Sequence, residues 1–319
     1  MELKEEKGNY EEEKFFYRVY GLKVKSDFQL NELINLAEYD RNNIDVEIIN
    51  GKISDNIKKI DGDYLNNTYT KENMYFKASN VAKYNVLNGN KIIVETFENY
   101  DKSMFKIYLL GIVFAFLMIE REKIAIHGGA VDINGKGILI VGKSGAGKST
   151  LTTALRQKGY KLLADDMTAL DNDKNGQAII NPSFPMQRIT HDVLEDFGYD
   201  KSKFNKIFLT REKYFVPAKD EFQYENKPLY AIFHLSEDDI DEVTVEEVHG
   251  TEKLSLIFSS IFRGYVLNEV GISSTYFKKC LNIANKVPIY KVKRPKKGFT
   301  VNKQMELIEA KLKLYNYAS

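Results

Sequence analysis

Apolar positions along the chain fall into two regimes. Over roughly the first hundred residues they recur at every second position in short runs, the mark of half-buried strands. Residues 15–24 form one such run, broken at Gly21, and residues 44–49 (IDVEII) form another, closed by the Asn50-Gly51 turn signal. Residues 74–78, 81–86 and 91–96 continue the pattern, the last two joined across Asn88-Gly89-Asn90. The pattern predicts a small antiparallel β region over residues 15–100, behind a polar, flexible leader at residues 1–14.

Beyond residue 100, continuous apolar runs and helical spacing replace the alternation. Residues 107–119 (IYLLGIVFAFLMI) carry no charge but fall short of the ~20 a bilayer-spanning helix needs, so they predict a buried core helix. A strand at 124–133, the Asn134-Gly135 turn and a β-branched strand at 138–141 make a hairpin. Residues 149–158 then read as a helix, with Leu151, Ala154 and Leu155 at helical spacing and Gly159 as its stop. A strand at 161–164 ends in Asp165-Asp166. Strands follow at 167–170 and 178–180, separated by a polar turn at 171–176. An irregular segment bracketed by Pro182 and Pro185 ends at Arg188, and a short helix occupies 191–197. The remainder predicts strands at 229–235, 243–248 and 288–292 and helices at 251–262, 276–284 and 303–314. This second unit, 101–319, is of α/β type.

Composition narrows the class of protein more than its chemistry. Of 319 residues, 43% are hydrophobic and 29% charged, ordinary for a soluble globular chain able to bury a sizeable core. The net charge of +1 leaves no global field to recruit nucleic acid or an anionic membrane. The one basic cluster, residues 291–297 (KVKRPKK), is expected to be a solvated loop. A single cysteine, Cys280, precludes an internal disulfide framework and fits a reducing cytoplasm. The charged start of the chain has no apolar stretch of the secretory kind, which points the same way.

The chemistry concentrates at residues 142–149, Gly-Lys-Ser-Gly-Ala-Gly-Lys-Ser, which satisfy the phosphate-loop pattern G-x-x-x-x-G-K-[ST]. By chance that pattern arises in roughly one chain in a hundred of this length. Here it also lies between a predicted strand and a predicted helix, as the motif requires. Glycines let consecutive backbone N–H groups turn onto a phosphate chain, and the helix N-terminus adds positive potential. Gly142, Ser144, Gly145, Ala146, Gly147, Lys148, Ser149 and Thr150 are therefore the expected nucleotide contacts. Lys148 is expected to reach the β/γ-phosphates of ATP and the Ser149 hydroxyl to hold Mg²⁺.

Only one helix and a return separate Ser149 from Asp165. The acidic strand is accordingly expected to lie directly beside the loop strand in a parallel sheet, with both strand ends on one edge. There one carboxylate can bind Mg²⁺ and the other can take a proton from an incoming hydroxyl. His127, in the upstream hairpin strand and followed by two glycines, is the third candidate. His191, His234 and His249 have no motif around them and are read as structural or surface residues.

Residues 127–166, HGGAVDINGKGILIVGKSGAGKSTLTTALRQKGYKLLADD, resemble the core of the HPr kinase/phosphorylase family. In that family a His-Gly strand, a hairpin, the phosphate loop, one helix and an Ala-Asp-Asp strand end follow in this order and spacing. A looser resemblance, through residues 20–27, Asp45-Val46, Pro185 to Arg188 and Pro228-Leu229, extends to HPr-kinase-like proteins associated with peptide-modification gene clusters. The resemblance implies a fold related to phosphoenolpyruvate carboxykinase and an ATP- and Mg²⁺-dependent kinase acting on a serine or threonine hydroxyl of a peptide or small protein. It implies Asp165 as general base, Asp166 as metal ligand and His127 as the group orienting Asp165. Arg188 is added as a cation near the transferred phosphoryl group. It also implies self-association. The family's glycine-rich second signature, tied to phosphorolysis, is not found in the chain, so neither the reverse reaction nor recognition of HPr is carried over. Two other readings stay open from the residues alone: a small-molecule kinase, and a nucleotide-dependent switch that hydrolyses ATP slowly.

Overall fold

A computed structural model describes residues 13–53, 68–208 and 212–314, so most of the leader expected at 1–14 lies outside the described residues. The alternating N-terminal runs form one sheet. Its strands are β1 (Phe15–Val19), β2 (Leu22–Ser26), β3 (Ile34–Asn35), β4 (Val46–Asn50), β5 (Thr68–Tyr69), β6 (Asn73–Ala78), β7 (Ala82–Leu87) and β8 (Lys91–Thr96). They are ordered β3-β1-β2-β4-β8-β7-β6-β5. The run at 15–24 is a hairpin, not one interrupted strand: Tyr20 and Gly21 both take positive φ, 53° and 74°, the geometry of a tight two-residue turn.

The sheet is mixed, where sequence alternation suggested antiparallel pairing throughout. β4 runs parallel to both β2 and β8. A period of two marks which face is buried and is blind to strand direction, which the connections decide. Asn50-Gly51 accordingly closes no hairpin: Gly51 donates its N–H to the Val94 carbonyl at 2.9 Å, continuing the pairing with β8.

The apolar run is part of a longer helical rod, Lys102–Glu120, made of α1 (Lys102–Tyr108), a π-turn (Leu109–Val113) and α2 (Phe114–Glu120). Asp101 caps it, accepting from the Ser103 and Met104 N–H groups at 2.7 and 3.1 Å. At 19 residues and a mean hydropathy of 1.8, the rod passes a length-and-composition test for crossing a membrane. Yet every residue from Phe114 to Ile119 is buried, packed between the first sheet and the second.

The second sheet carries the motifs. Its elements begin with β9 (Ile124–Ile133), β10 (Lys136–Gly142), α3 (Lys148–Gln157), β11 (Lys161–Ala164), β12 (Met167–Asn172) and β13 (Ala178–Asn181). Next come β14 (Met186–Thr190), α4 (His191–Asp196), β15 (Asn205–Phe208), β16 (Glu212–Pro217), β17 (Lys227–Asp238) and β18 (Thr244–Glu247). The chain continues through α5 (Thr251–Ser259), α6 (Val266–Val270), α7 (Ser274–Lys286), β19 (Ile289–Pro295) and α8 (Val301–Leu314). The sheet order is β10-β9-β12-β13-β17-β19-β18, with β10 also pairing β17 and β11 pairing β9. Strands β9, β12, β13, β17 and β10 thus close a ring. β14, β16 and β15 form a separate small sheet over the loop helix. The architecture is mixed α/β.

Two expectations change here. β11 is not the neighbour of β10, because β9 runs between them: Ala130 of β9 faces Leu139 on one side and Ala164 on the other. β10 and β11 are each antiparallel to β9, hence parallel to one another, and their C-terminal ends still meet on one edge. The segment ending at Arg188 is the regular strand β14, not irregular chain, because its partner residues on β16 lie 23 or more positions downstream, beyond the reach of local signals.

Candidate active site

Sterics shape the edge where β9, β10 and β11 meet. A Cβ on Gly128 would stand 2.4 Å from the Ile140 carbonyl oxygen, and one on Gly129 would stand 2.7 Å from the Thr152 methyl of α3. Only glycine lets the loop helix settle this closely on β9. Gly142 ends β10 at φ 142°, where a Cβ would meet the Leu235 carbonyl oxygen at 2.4 Å. Gly145 and Gly147 take φ of 90° and 100°, so the loop turns back and opens α3 at Lys148. The Lys148 ammonium is half-buried and donates to the Gly142 and Lys143 carbonyls at 2.8 and 3.1 Å. Burial lowers its pKa from the usual lysine value.

The loop is braced from outside by a residue the sequence placed in a solvated cluster. Arg294 of β19 donates through Nε to the Ala146 carbonyl at 3.2 Å and forms an ion pair with Glu237. Lys291 and Lys293 of the same cluster pair with Glu252 and Glu246. Residues 291–295 of the basic run are thus strand, with Lys291, Lys293 and Arg294 each paired to a carboxylate, and Lys296 and Lys297 lie beyond it.

β11 delivers Asp165 and Asp166 into a very tight turn. The Met167 N–H donates to the Asp165 carbonyl at 2.7 Å, and Asp166 between them takes φ 62°, a left-handed conformation that a residue other than glycine rarely holds. Neighbours on β9 and β14 hold it there. The Asp166 carbonyl accepts from the Gly128 N–H at 3.1 Å and lies 3.1 Å from His127 Nδ1. Arg188 of β14 grips both carboxylates, its backbone N–H on Asp165 Oδ2 at 2.9 Å and its guanidinium in an ion pair with Asp166. His127 therefore touches the turn through the main chain of Asp166, not the carboxylate of Asp165.

This environment drives the two acids apart. Burial, and after it the Asp166 charge, raise the Asp165 carboxyl above the usual carboxylate range. Burial acts on Asp166 too, but the charges of Arg188, His127, Lys213 and Lys148 outweigh it and hold that carboxyl below its usual value. His127 is lowered from the usual histidine value, chiefly by burial. A raised carboxyl beside a lowered one is an arrangement suited to base catalysis next to a cation site.

A cleft of about 280 Å³ joins the two halves, lined by Ser144, Gly145, Gly147, Lys148, Ser149 and Thr150 on one side and by His127, Asp165 and Asp166 on the other. Gly142, Ala146 and Arg188 do not line this cleft; Arg188 lines a second opening together with the two carboxylates. Two residues not singled out from the sequence join the site. Lys213, on β16, lines the cleft and adds positive potential at both carboxylates. Gln187, next to Arg188 and fully buried, links β14 to α3: it accepts from Thr153 Oγ1 and Arg156 Nη1 at 3.3 and 2.5 Å and donates to Thr152 Oγ1 at 2.7 Å. Neither carries a motif; a lysine or glutamine in a short alternating run gives no local sign of facing a cleft.

The sequence profile of the HPr serine kinase C-terminal domain matches residues 120–195, the segment from the end of α2 through most of α4. That match takes in the phosphate loop, His127, Asp165, Asp166, Gln187 and Arg188, and leaves out Lys213 and the brace at Arg294. Over that stretch the chain is similar to the HPr serine kinase C-terminal domain. Similar curated proteins include the HPr kinase/phosphorylase of Lactobacillus delbrueckii, 40% identical over 60 residues (18% of this chain, 19% of that protein). That of Caldanaerobacter subterraneus is 33% identical over 105 residues, covering 31% of this chain and 34% of the relative. The matched stretch thus spans between about a fifth and a third of these relatives. Among solved structures, the HPr(Ser) kinase/phosphatase from Coxiella burnetii aligns over 60% of this chain and 98% of its own, at 14% identity and a TM-score of 0.31. So loose an overlay carries no argument about this chain.

Proposed function

We propose that the chain is an ATP- and Mg²⁺-dependent kinase that transfers the γ-phosphate to a serine or threonine hydroxyl of a peptide or small protein. The observation that carries this reading is the shared cleft: phosphate-loop groups and a proton-accepting carboxylate face one space. The acceptor oxygen attacks the γ-phosphorus, its proton passes to Asp165, and the bond to the β–γ bridging oxygen breaks as ADP leaves. Lys148 stabilises the charge developing on the phosphates, Lys213 adds to the positive field, and Arg188 holds the carboxylates in place. His127 keeps the acidic turn in register through the Asp166 carbonyl.

Among the described residues no cluster of three or more His, Cys, Asp or Glu could cage a metal. That suits Mg²⁺, which uses one or two protein ligands and takes the rest from phosphates and water. Ser149 and the ionised Asp166 would hold it, and when bound it supplies charge neutralisation at the phosphates.

Within this reading the fold is of the HPr kinase and phosphoenolpyruvate carboxykinase type, with residues 15–100 as a β-rich unit and 101–319 as the catalytic unit. The buried Cys280, its thiol raised to about 12 by burial, is compatible with a cytoplasmic setting. The test is incubation with ATP labelled at the γ-phosphate, Mg²⁺, and panels of serine peptides, small alcohols or water alone. Label recovered as phosphoserine supports the proposal; label released only as inorganic phosphate overturns it in favour of a slow ATPase.

A further inference from the structure

The cleft at the phosphate loop continues past the loop. Gly147, Thr150 and Asp196, which line it, also line an adjoining opening of about 130 Å³. Further walls of that opening come from the C-terminal segment: Arg294 near the end of β19, Phe299 in the loop that follows, and Gln304 in the first turn of α8. These three residues and Asp196 lie outside the segment matched by the HPr kinase profile, and the phosphoryl-transfer chemistry uses none of them.

Position, size and chemistry agree on an occupant. A transferable γ-phosphate must face Asp165, so the triphosphate runs from the acidic turn along the loop, with its α-phosphate end at the start of α3. The adjoining opening shares Gly147 and Thr150 with the cleft and includes no residue of the acidic turn. Its volume is the room of roughly ten waters, enough for one flat heterocycle. Two planar groups line it. Phe299 is 55% exposed although its ring meets Phe197 edge-on at a centroid distance of 6.0 Å. An aromatic ring left open beside a polar cleft suits stacking against a base. Arg294 is fixed by the Ala146 carbonyl and Glu237, which makes its guanidinium a second flat surface held in place. Finally, Gln304, only 4% exposed, donates Nε2 to Thr300 Oγ1 at 3.0 Å, while no group among the described residues donates to its Oε1. A nearly buried amide oxygen left without a donor is costly, which a ligand N–H would relieve.

We infer that this opening seats the nucleobase, stacked on Phe299, with the exocyclic amino group of adenine donating to Gln304 Oε1. Guanine presents a carbonyl oxygen at the same ring position, so two acceptors would face each other and the seat selects ATP over GTP. The C-terminal segment thus reads the base, while the phosphate loop holds the phosphates. This rests on the nucleotide-binding half of the reading above and is independent of which acceptor takes the phosphate.

The test measures displacement of labelled ATP from the full chain by ATP, by GTP and by tripolyphosphate, which carries phosphates and no base. ATP is expected to bind more tightly than GTP by about tenfold or more. Phe299→Ala should weaken ATP by about tenfold, the usual loss of one base stack, and leave tripolyphosphate within about twofold. Phe299→Tyr keeps the ring and should restore ATP binding. Gln304→Met, close in volume but without the amide acceptor, should narrow the preference for ATP over GTP, again with tripolyphosphate binding unmoved, which certifies a folded loop. GTP bound as tightly as ATP by the unmodified chain overturns the seat and leaves the kinase reading standing. So does Phe299→Ala that binds ATP normally, or that loses ATP and tripolyphosphate equally. No retention of labelled ATP by the unmodified chain overturns both. The expected base effects without transfer to any hydroxyl overturn the kinase reading alone.

Discussion

The phosphate loop and the acidic turn sit across one cleft, yet their geometry arises in opposite ways. The loop is eight consecutive residues whose shape follows from its own glycines, with three positive φ angles at Gly142, Gly145 and Gly147. The turn is a short stretch with no glycine of its own, and Asp166 adopts a left-handed conformation because Gly128, His127 and Arg188 hold it. A contiguous motif is preorganised by its backbone; the acidic pair is preorganised by tertiary structure. Damage to the two halves should therefore look different.

The sharpest break is Asp165→Asn. Transfer should fall by about 10²–10⁴-fold, the usual contribution of a positioned base, while ATP affinity stays near that of the unmodified chain; wild-type turnover would remove Asp165 from the chemistry. The same substitution should stabilise the protein at neutral pH. The folded-state pKa of Asp165 is raised, so as pH climbs from the ordinary carboxylate range through that raised value the unfolded chain ionises first and stability is lost. Asparagine does not titrate, and its advantage in melting temperature should appear above that window and vanish in acid.

Lys148→Ala strikes the other half and should remove both functions, with about 10²–10³-fold lost in transfer and a clear loss in a labelled-nucleotide titration. Equal ATP binding by the two proteins would contradict the placement of Lys148 at the phosphates. Arg188→Gln tests the clamp between the halves. Arg188 lowers the pKa of both carboxyls, so its loss should move the acidic limb of the kcat/KM profile to higher pH. An unmoved limb would mean that Asp165 is not the group titrating.

Gln187→Leu should cost about 1–3 kcal/mol by leaving buried polar partners on α3 unsatisfied, read as a lower denaturation midpoint. At the bottom of the scale stands Lys291→Ala, which breaks a surface ion pair with Glu252 and should change stability by about 1 kcal/mol or less.

Much of this architecture was legible in the residues. The hairpin at Asn134-Gly135, the loop helix, the buried strand around residues 229–235 and the amphipathic helices all emerged from local periodicity and turn chemistry. What escaped was pairing at a distance. The insertion of β9 between β10 and β11, the parallel neighbours of β4, and the sheet formed by β14, β15 and β16 each depend on partners far along the chain. The same divide separates Lys148, marked by its motif, from Lys213, which lines the cleft, and Gln187, which ties β14 to α3; both gain their places only when β14 and β16 pair.

By itself, then, the sequence determined the phosphate loop, its strand and helix, and the presence of two carboxylates one helix away, because glycine sterics and hydrogen-bond capping act over a few residues. Tertiary structure alone decided that Asp165 is a raised acid and Asp166 a lowered one, that a distant strand clamps both, and that the C-terminal segment walls an opening beside the phosphate loop. Burial and charge neighbourhood are sums over every element packed nearby, and no local window contains that sum.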